Sequence, residues 1–307
     1  MRSLLLCVGI SGDDAGDWIG AVNGFRKRVP WWLRIGAKMV LARLPVPYRI
    51  WKQLRIFEHG DMNQPGRALD TFLEHARTAG VLDTESHLPR IKVKGDSFNV
   101  LELGQGDSLF TALIARSLGA SHTWLVDVAP FATTEMPSYV ELLELLRQRG
   151  LVLCLERNPQ TLPGLLQQCN GEYLTQGVRS LALLPPNSVD FCFSNAVLEH
   201  VPKRDLALVA AELLRVLNRN GICVHLRFSD ATWEGKLFRS SGFYTNRIRF
   251  GEMLALFERA GFECYLPRVI RWERLPTARA KLNASFRQLP DEDLLVSEFD
   301  VVLRRKG

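Results

Sequence analysis

Four times between residue 97 and the end of the chain, a short apolar run gives way to a segment whose apolar residues recur every three or four positions. The runs at 97–103, 122–128, 189–194 and 222–228 have strand length, and the segments at 107–118, 137–149, 205–217 and 252–260 have helix length. Two more strands are expected at 264–270 and 297–303. Near-continuous apolar runs mark strands buried on both faces, and the amphipathic segments between them supply the cover. The pattern predicts an α/β fold with a doubly wound, Rossmann-like sheet. Asn63 and Pro65 open one earlier helix, with Leu69, Phe72, Leu73 and Ala76 on one side and Gly80 to close it. Asp107 or Ser108 is expected to cap the helix at 107–118, Gly150 to stop the next, and Gly221 to end the one at 205–217.

The chain is 47% hydrophobic and 23% charged, a mix that supports a core and excludes wholesale disorder. No run reaches about 18 uncharged apolar residues, the length needed to span a bilayer as a helix. Leu4 to Ile10 faintly imitates a secretory signal, but Asp13, Asp14 and Asp17 stand where small residues should precede cleavage, so none is expected. Cys7, Cys154, Cys169, Cys192, Cys223 and Cys264 show no paired spacing and sit largely in apolar runs, which suits reduced thiols in a cytoplasmic protein and no metal site. The net charge of +6 is uneven: residues 18–57 hold nine Lys or Arg and no acid, so the rest sums to −3.

In doubly wound sheets ligands bind beyond the carboxyl ends of the strands. The first strand ends in Glu102-Leu103-Gly104-Gln105-Gly106-Asp107, where two glycines let backbone approach a ligand and turn tightly. Asp127 ends the next strand, and a carboxylate there suits the two hydroxyls of a ribose. A nicotinamide dinucleotide, and with it an NAD(P)-dependent oxidoreductase, is the rival. Its fingerprint wants glycine or alanine where Leu109 stands, and Glu102 and Asp107 are poor neighbours for a pyrophosphate. A ribose joined to a positive or zwitterionic tail fits better. The pattern Tyr48 to Lys52 matches the short-chain dehydrogenase YxxxK, but it lies upstream of the glycine loop.

Residues 97–303 resemble a class I S-adenosylmethionine-dependent methyltransferase of the type 11-like group. The resemblance is carried by Val100 to Gly106, by Trp124 to Asp127, by Gly177 to Asp190, by Phe191 to Val201 and by Ala260 to Glu263 with a last strand after it. It implies a mostly parallel sheet with an antiparallel last strand and S-adenosylmethionine as cofactor. Glu102, Leu103, Gly104, Gln105 and Gly106 would then hold the methionine end, Asp127 and Val128 the ribose side, and Asn195 and Ala196 the region near the sulfonium. The family often places an acid after the glycine that corresponds to Gly177, but this chain has Val178, leaving backbone near Val178 and Arg179 and apolar walls for adenine. That departure keeps a non-catalytic methyltransferase-like scaffold open. Ser194-Asn195 offers no carboxylates for a metal-dependent O-methyltransferase, and Asn195-Ala196-Val197 is not the motif of amino-methylating nucleic-acid enzymes.

His200 lies near the expected methyl position and is the candidate general base for a hydroxyl acceptor; the bland alternative is that Glu199-His200 orients a helix start. The acceptor class is expected to be a small molecule, a glycan or a lipid-linked group. Tyr244, Asn246 and Arg247 belong to a polar, aromatic loop that suits a substrate lid or a plain connector. The basic, Trp-containing segment at 18–57, with Arg34 and Lys38 on one face of a helix, suits either a cap over the cleft or an anionic membrane surface; a nucleic-acid partner is disfavoured, since no reading motif accompanies the charge. The domain division is an N-terminal extension at 1–90 and a cofactor-binding domain at 91–307. The expected location is cytoplasmic, with peripheral membrane attachment second.

Overall fold

The computed structural model describes residues 63–83, 89–91, 97–155, 159–229, 246, 248–275, 278–282 and 284–307. The basic segment at 18–57, Tyr244 and Arg247 lie outside the described residues. Seven strands form one sheet: β1 (Phe98–Leu103), β2 (Ala120–Val126), β3 (Gly171–Leu174), β4 (Val189–Asn195), β5 (Leu217–Ser229), β6 (Phe262–Arg271) and β7 (Val296–Arg305). Their spatial order is β3-β2-β1-β4-β5-β7-β6. All neighbours run parallel except β7, which is antiparallel to both β5 and β6. This is the doubly wound, mostly parallel sheet with a reversed last strand that the sequence predicts. Two short strands, Leu82–Asp83 and Arg90–Ile91, pair as a separate antiparallel ribbon.

The helices are α1 (Pro65–Thr78), α2 (Phe110–Ser117), α3 (Met136–Gln148), α4 (Leu162–Gln168), α5 (Val178–Leu181), α6 (Lys203–Val216), α7 (Phe250–Ala260), α8 (Ala284–Arg287) and α9 (Asp291–Leu294). Successive strand residues point to opposite faces, so β4 sends Phe191 and Phe193 into one core and Cys192 into the other. The first core lies under α1 to α4, and the second under α5, α6 and α7. Pro65 sits in the first turn of α1, where a missing N–H costs nothing, and Ala68, Leu69, Phe72 and Ala76 are buried against the sheet. Phe72 is fully buried and meets Phe191 and Phe193 edge-on, with ring centroids 5.8 and 5.5 Å away. Such geometry places ring edges on ring faces, the favoured arrangement of aromatic quadrupoles.

Two local expectations need correction. The helix after the glycine loop begins at Phe110, and neither Asp107 nor Ser108 caps it; Leu109 holds the cap position without a side-chain bond. Instead the amide of Leu109 donates to the Tyr139 hydroxyl of α3 at 3.2 Å, and that hydroxyl donates to Thr133 O at 2.8 Å. Gly221 does not end a helix either. α6 stops at Val216, Leu217 turns extended, and Gly221 lies inside β5, where a Cβ would come 2.7 Å from Val189 O. Glycine is there because two backbones approach closely. The stretch between α3 and β4, which shows no clear apolar period, holds α4, β3 and α5, all short.

The chain winds from β1 through β2 to β3 on one side, then returns to place β4 against the other side of β1. The order therefore reverses between β1 and β4, the position at which such sheets open a crevice. Register brings the strand ends level there: Leu103 pairs with Val126 and with Ser194, and Ser194 pairs with His225.

Candidate active site

The loop leaving β1 supplies the floor of this crevice. Gly104 and Gly106 have φ of +68° and +66°, a left-handed conformation that a side chain disfavours. At Gly104 space forbids one as well, since a Cβ would lie 2.5 and 2.8 Å from the methyl carbons of Val197. Val197 comes from the turn after β4, so the two strand ends touch through this pair. A glycine that the sequence singles out and a valine that it does not thus close the switch point.

Asp127, at the end of β2, is buried, with its Oδ1 accepting from Val128 N at 2.6 Å and its Oδ2 accepting from Gly106 N at 3.3 Å. These backbone donors fix the carboxylate and tie β2 to the glycine loop. A carboxylate offers roughly four acceptor positions, the chemistry that the two hydroxyls of a ribose require. Beyond it, Leu103, Gly104, Val126, Asp127, Val128, Val178, Leu181, Val197, Leu198, Val201 and Val209 line one cleft. Its walls are almost wholly apolar, and Val178 stands among them in the place where the related motif often carries an acid.

Glu102 has the most perturbed environment of the group. It is 3% exposed, and its Oε2 has no hydrogen-bond partner. Burial pushes its carboxyl up to about 8, Thr111 from α2 opposes this by hydrogen bonding, and the nearby Asp127 charge adds to the rise. A buried acceptor without a donor is costly, and a cation or N–H from a ligand would relieve it. Asn195 at the end of β4 shows the same feature, a buried Oδ1 with no hydrogen-bond partner. Gln105 is buried in the loop between the two glycines. These unsatisfied groups and the left-handed loop fit a ligand with an ammonium-bearing tail and a ribose, as the resemblance implies for S-adenosylmethionine.

The turn after β4 continues the site. Ala196 adopts a φ of +53°, unusual for a residue with a side chain, and the 3-10 turn Leu198–His200 follows. The His200 side chain is about half exposed, its Nε2 3.8 Å from Glu199 Oε1, and it does not line the apolar cleft, although Leu198 and Val201 on either side of it in sequence do. Arg179 is likewise exposed, at the start of α5. Asn246, expected to meet substrate, turns inward instead. Its Nδ2 donates to Leu198 O at 2.7 Å and Val201 O at 2.9 Å, while Oδ1 accepts from Ile248 N at 3.0 Å. It fastens the turn rather than facing an acceptor, since its carboxamide is spent on backbone. The structure thus brings Glu102 to Gly106, Asp127, Val128, Val178, Asn195 and Ala196 to one end of the sheet. Sequence reasoning did not single out Leu181, Val197, Val201 and Val209 as cleft residues. Val197 follows Ala196 directly in the motif, and Val209 lies on the apolar face of its helix.

Residues 138–225, from within α3 to His225 of β5, match the family model described as methyltransferase domain. No curated protein matches the chain in sequence. Among solved structures, an S-adenosylmethionine-dependent methyltransferase from Methanosarcina mazei is 16% identical, with 69% of this chain and 94% of that one covered and a TM-score of 0.39. An arsenic(III) S-adenosylmethionine methyltransferase from Chlamydomonas reinhardtii is 16% identical over 76% of this chain and 73% of that one, with a TM-score of 0.42. A geranyl diphosphate methyltransferase in complex with S-adenosylmethionine is 14% identical over 78% of this chain and 85% of that one, also with a TM-score of 0.42.

Proposed function

We propose that this chain, in which residues 138–225 match a methyltransferase domain, is an S-adenosylmethionine-dependent enzyme that moves the donor's methyl group, without a metal ion, to a hydroxyl oxygen of a small-molecule, glycan or lipid-linked acceptor. The observation that carries this reading is the convergence of a buried Glu102 carboxyl whose Oε2 has no hydrogen-bond partner, the left-handed Gly104-Gln105-Gly106 loop and Asp127 at the switch point. When bound, the donor supplies an electrophilic methyl on a sulfonium that leaves as a neutral thioether.

The residues of the chain do the rest. Glu102 balances the ammonium of the methionine tail, Asp127 takes the ribose hydroxyls, and Val128, Val178 and Leu181 offer an apolar slot to the adenine in place of an acid. Asn195 and Ala196 border the reacting end. Transfer of this kind depends first on in-line approach, so rigid placement of these groups supplies most of the effect. On this reading His200, half exposed in the turn after β4, accepts the acceptor's hydroxyl proton as the new C–O bond forms.

Calorimetric titration with S-adenosylmethionine and S-adenosylhomocysteine tests the reading. Binding abolished by Asp127→Ala but kept by Ser121→Ala supports it; absence of binding at millimolar ligand returns the non-catalytic scaffold. With an acceptor found by labelled methyl transfer to extract fractions, His200→Ala should lower turnover strongly and leave cofactor affinity within a few-fold. Unchanged turnover removes the base role.

A further inference from the structure

The turn that follows β4 is strained and needs to be held. Ala196 sits at φ +53°, and Val197 is pressed onto Gly104. Strained backbone of this kind persists only where surrounding contacts over-determine it. At its far end the turn is fastened by Asn246, whose backbone N donates to Glu199 O at 2.7 Å in addition to its side-chain bonds. At its near end stands Ser194, and two fully buried histidines converge on it.

His75, from α1, places Nε2 3.1 Å from Ser194 O and Nδ1 2.7 Å from Thr71 O. His225, on the neighbouring strand β5, places Nδ1 2.7 Å from the Ser194 hydroxyl and Nε2 3.3 Å from Cys223 Sγ. Each ring is also packed: His75 against Phe193 at 4.8 Å, and His225 stacked on Phe257 at 5.9 Å. An imidazole buried this deeply in two apolar cores is expensive unless its polar atoms are used. Each ring spends one nitrogen on Ser194, the residue that precedes Asn195 and Ala196, and the other on Thr71 O or Cys223 Sγ. The two histidines come from opposite faces of the sheet and from elements far apart in sequence.

We propose that His75 and His225 are positioning residues for methyl transfer, bracing Ser194 so that the strained turn at 195–197 presents its backbone to the donor. The proposal rests on the methyltransferase reading above for what the turn does, and on the geometry alone for how it is held. It makes α1 part of the site although α1 touches none of the cleft.

Two measurements on the full chain test it. The first is amide hydrogen exchange without ligand. His200 N and Val201 N donate to Val197 O and Leu198 O, so they report on the turn, whereas Arg149 N, bonded to Leu145 O, reports on α3. In His75→Leu the turn amides should exchange about tenfold faster while Arg149 keeps its rate, and His75→Gln, which retains an N–H, should restore most of the difference. The second is titration with S-adenosylhomocysteine: His75→Leu should weaken binding about tenfold, but less than about threefold when Ala196→Gly has already removed the strain. His225→Leu is read the same way and serves if His75→Leu does not fold. Acceleration of Arg149 equal to that of the turn, or a loss of affinity unchanged by Ala196→Gly, overturns the proposal. If the unaltered chain does not bind S-adenosylhomocysteine, the methyltransferase reading falls, and the exchange pattern still decides whether the brace exists.

Discussion

Replacing Glu102 by glutamine keeps the shape of the side chain and removes its titration. In the folded chain the carboxyl is held up at about 8, chiefly by burial, against an ordinary value of 4.5. Between those two values the native state binds more protons than the unfolded one, so stability falls as pH rises through that window. At roughly 1.4 kcal/mol per pH unit, the full gap sets a ceiling of about 5 kcal/mol at pH 8 and above, and about 3 kcal/mol at pH 7. The glutamine variant carries no such penalty. Urea unfolding without cofactor should therefore find the two proteins alike near pH 4.5 and the variant progressively more stable up to pH 8.5. Ligand binding should reverse the advantage, because an ammonium beside Glu102 favours the ionised carboxylate. Calorimetry at pH 7 in buffers of different ionisation enthalpy should then report release of close to one proton in the unaltered protein and none in the variant. A stability difference that stays constant from pH 5 to 8.5 would refute the claim that burial, only partly offset by Thr111, sets the state of this carboxyl.

Phe72→Ala should cost about 3–5 kcal/mol in urea unfolding, because it empties the space between Phe191 and Phe193; a loss under 1 kcal/mol would mean that α1 does not pack as described. Gly104→Ala should cost about 1–3 kcal/mol and abolish S-adenosylhomocysteine binding, and adding Val197→Ala should recover part of the stability by removing the clash while the left-handed φ remains. Unchanged melting of Gly104→Ala would contradict the close approach. The membrane reading of the basic segment at 18–57 requires attachment to anionic vesicles that weakens at high salt and on Arg34→Glu with Lys38→Glu, since each charge near such a surface adds about 1 kcal/mol. Salt-insensitive sedimentation, or none, would end the membrane reading in favour of a cap. Among the described residues no helix is long and apolar enough to cross a bilayer.

The parts of the fold that were legible are those whose residue types answer directly to their surroundings. β1, β2 and β4 are buried on both faces, so Val100 to Leu103, Trp124 to Val126 and Phe191 to Phe193 read as apolar runs. The Gly104-Gln105-Gly106 loop and Asp127 were legible because chemistry and backbone demand those residues there. β3 was not: its four residues, Gly171 to Leu174, include no fully buried side chain and show no period. The helix start at Phe110 was missed because the donor that matters is satisfied by Tyr139, thirty residues away, and not by a local cap. Asn246 misled because a polar residue in a polar loop gives no sign that its bonds run to backbone 45 and 48 residues earlier. His75 reads in sequence as one histidine in an amphipathic helix, and only the register of β4 shows what it meets.

The place of β7 has a consequence for the order in which the molecule can be completed. This strand, last along the chain, lies between β5 and β6, and among the described sheet strands β6 pairs with β7 alone. Synthesis proceeds from the N-terminus, so α7 and β6 emerge before the element that ties them to the sheet. Until residues 296–305 arrive, the edge of β5 stands open and Phe299, Val301 and Leu303 are missing from the second core. An unpaired apolar edge is a template for wrong partners. The cofactor crevice, by contrast, is framed by β1, β2 and β4, which precede that gap. A nascent chain released short of Val296 would thus hold most of a donor site within a sheet that cannot close, and its hazard would be association through the exposed β5 edge.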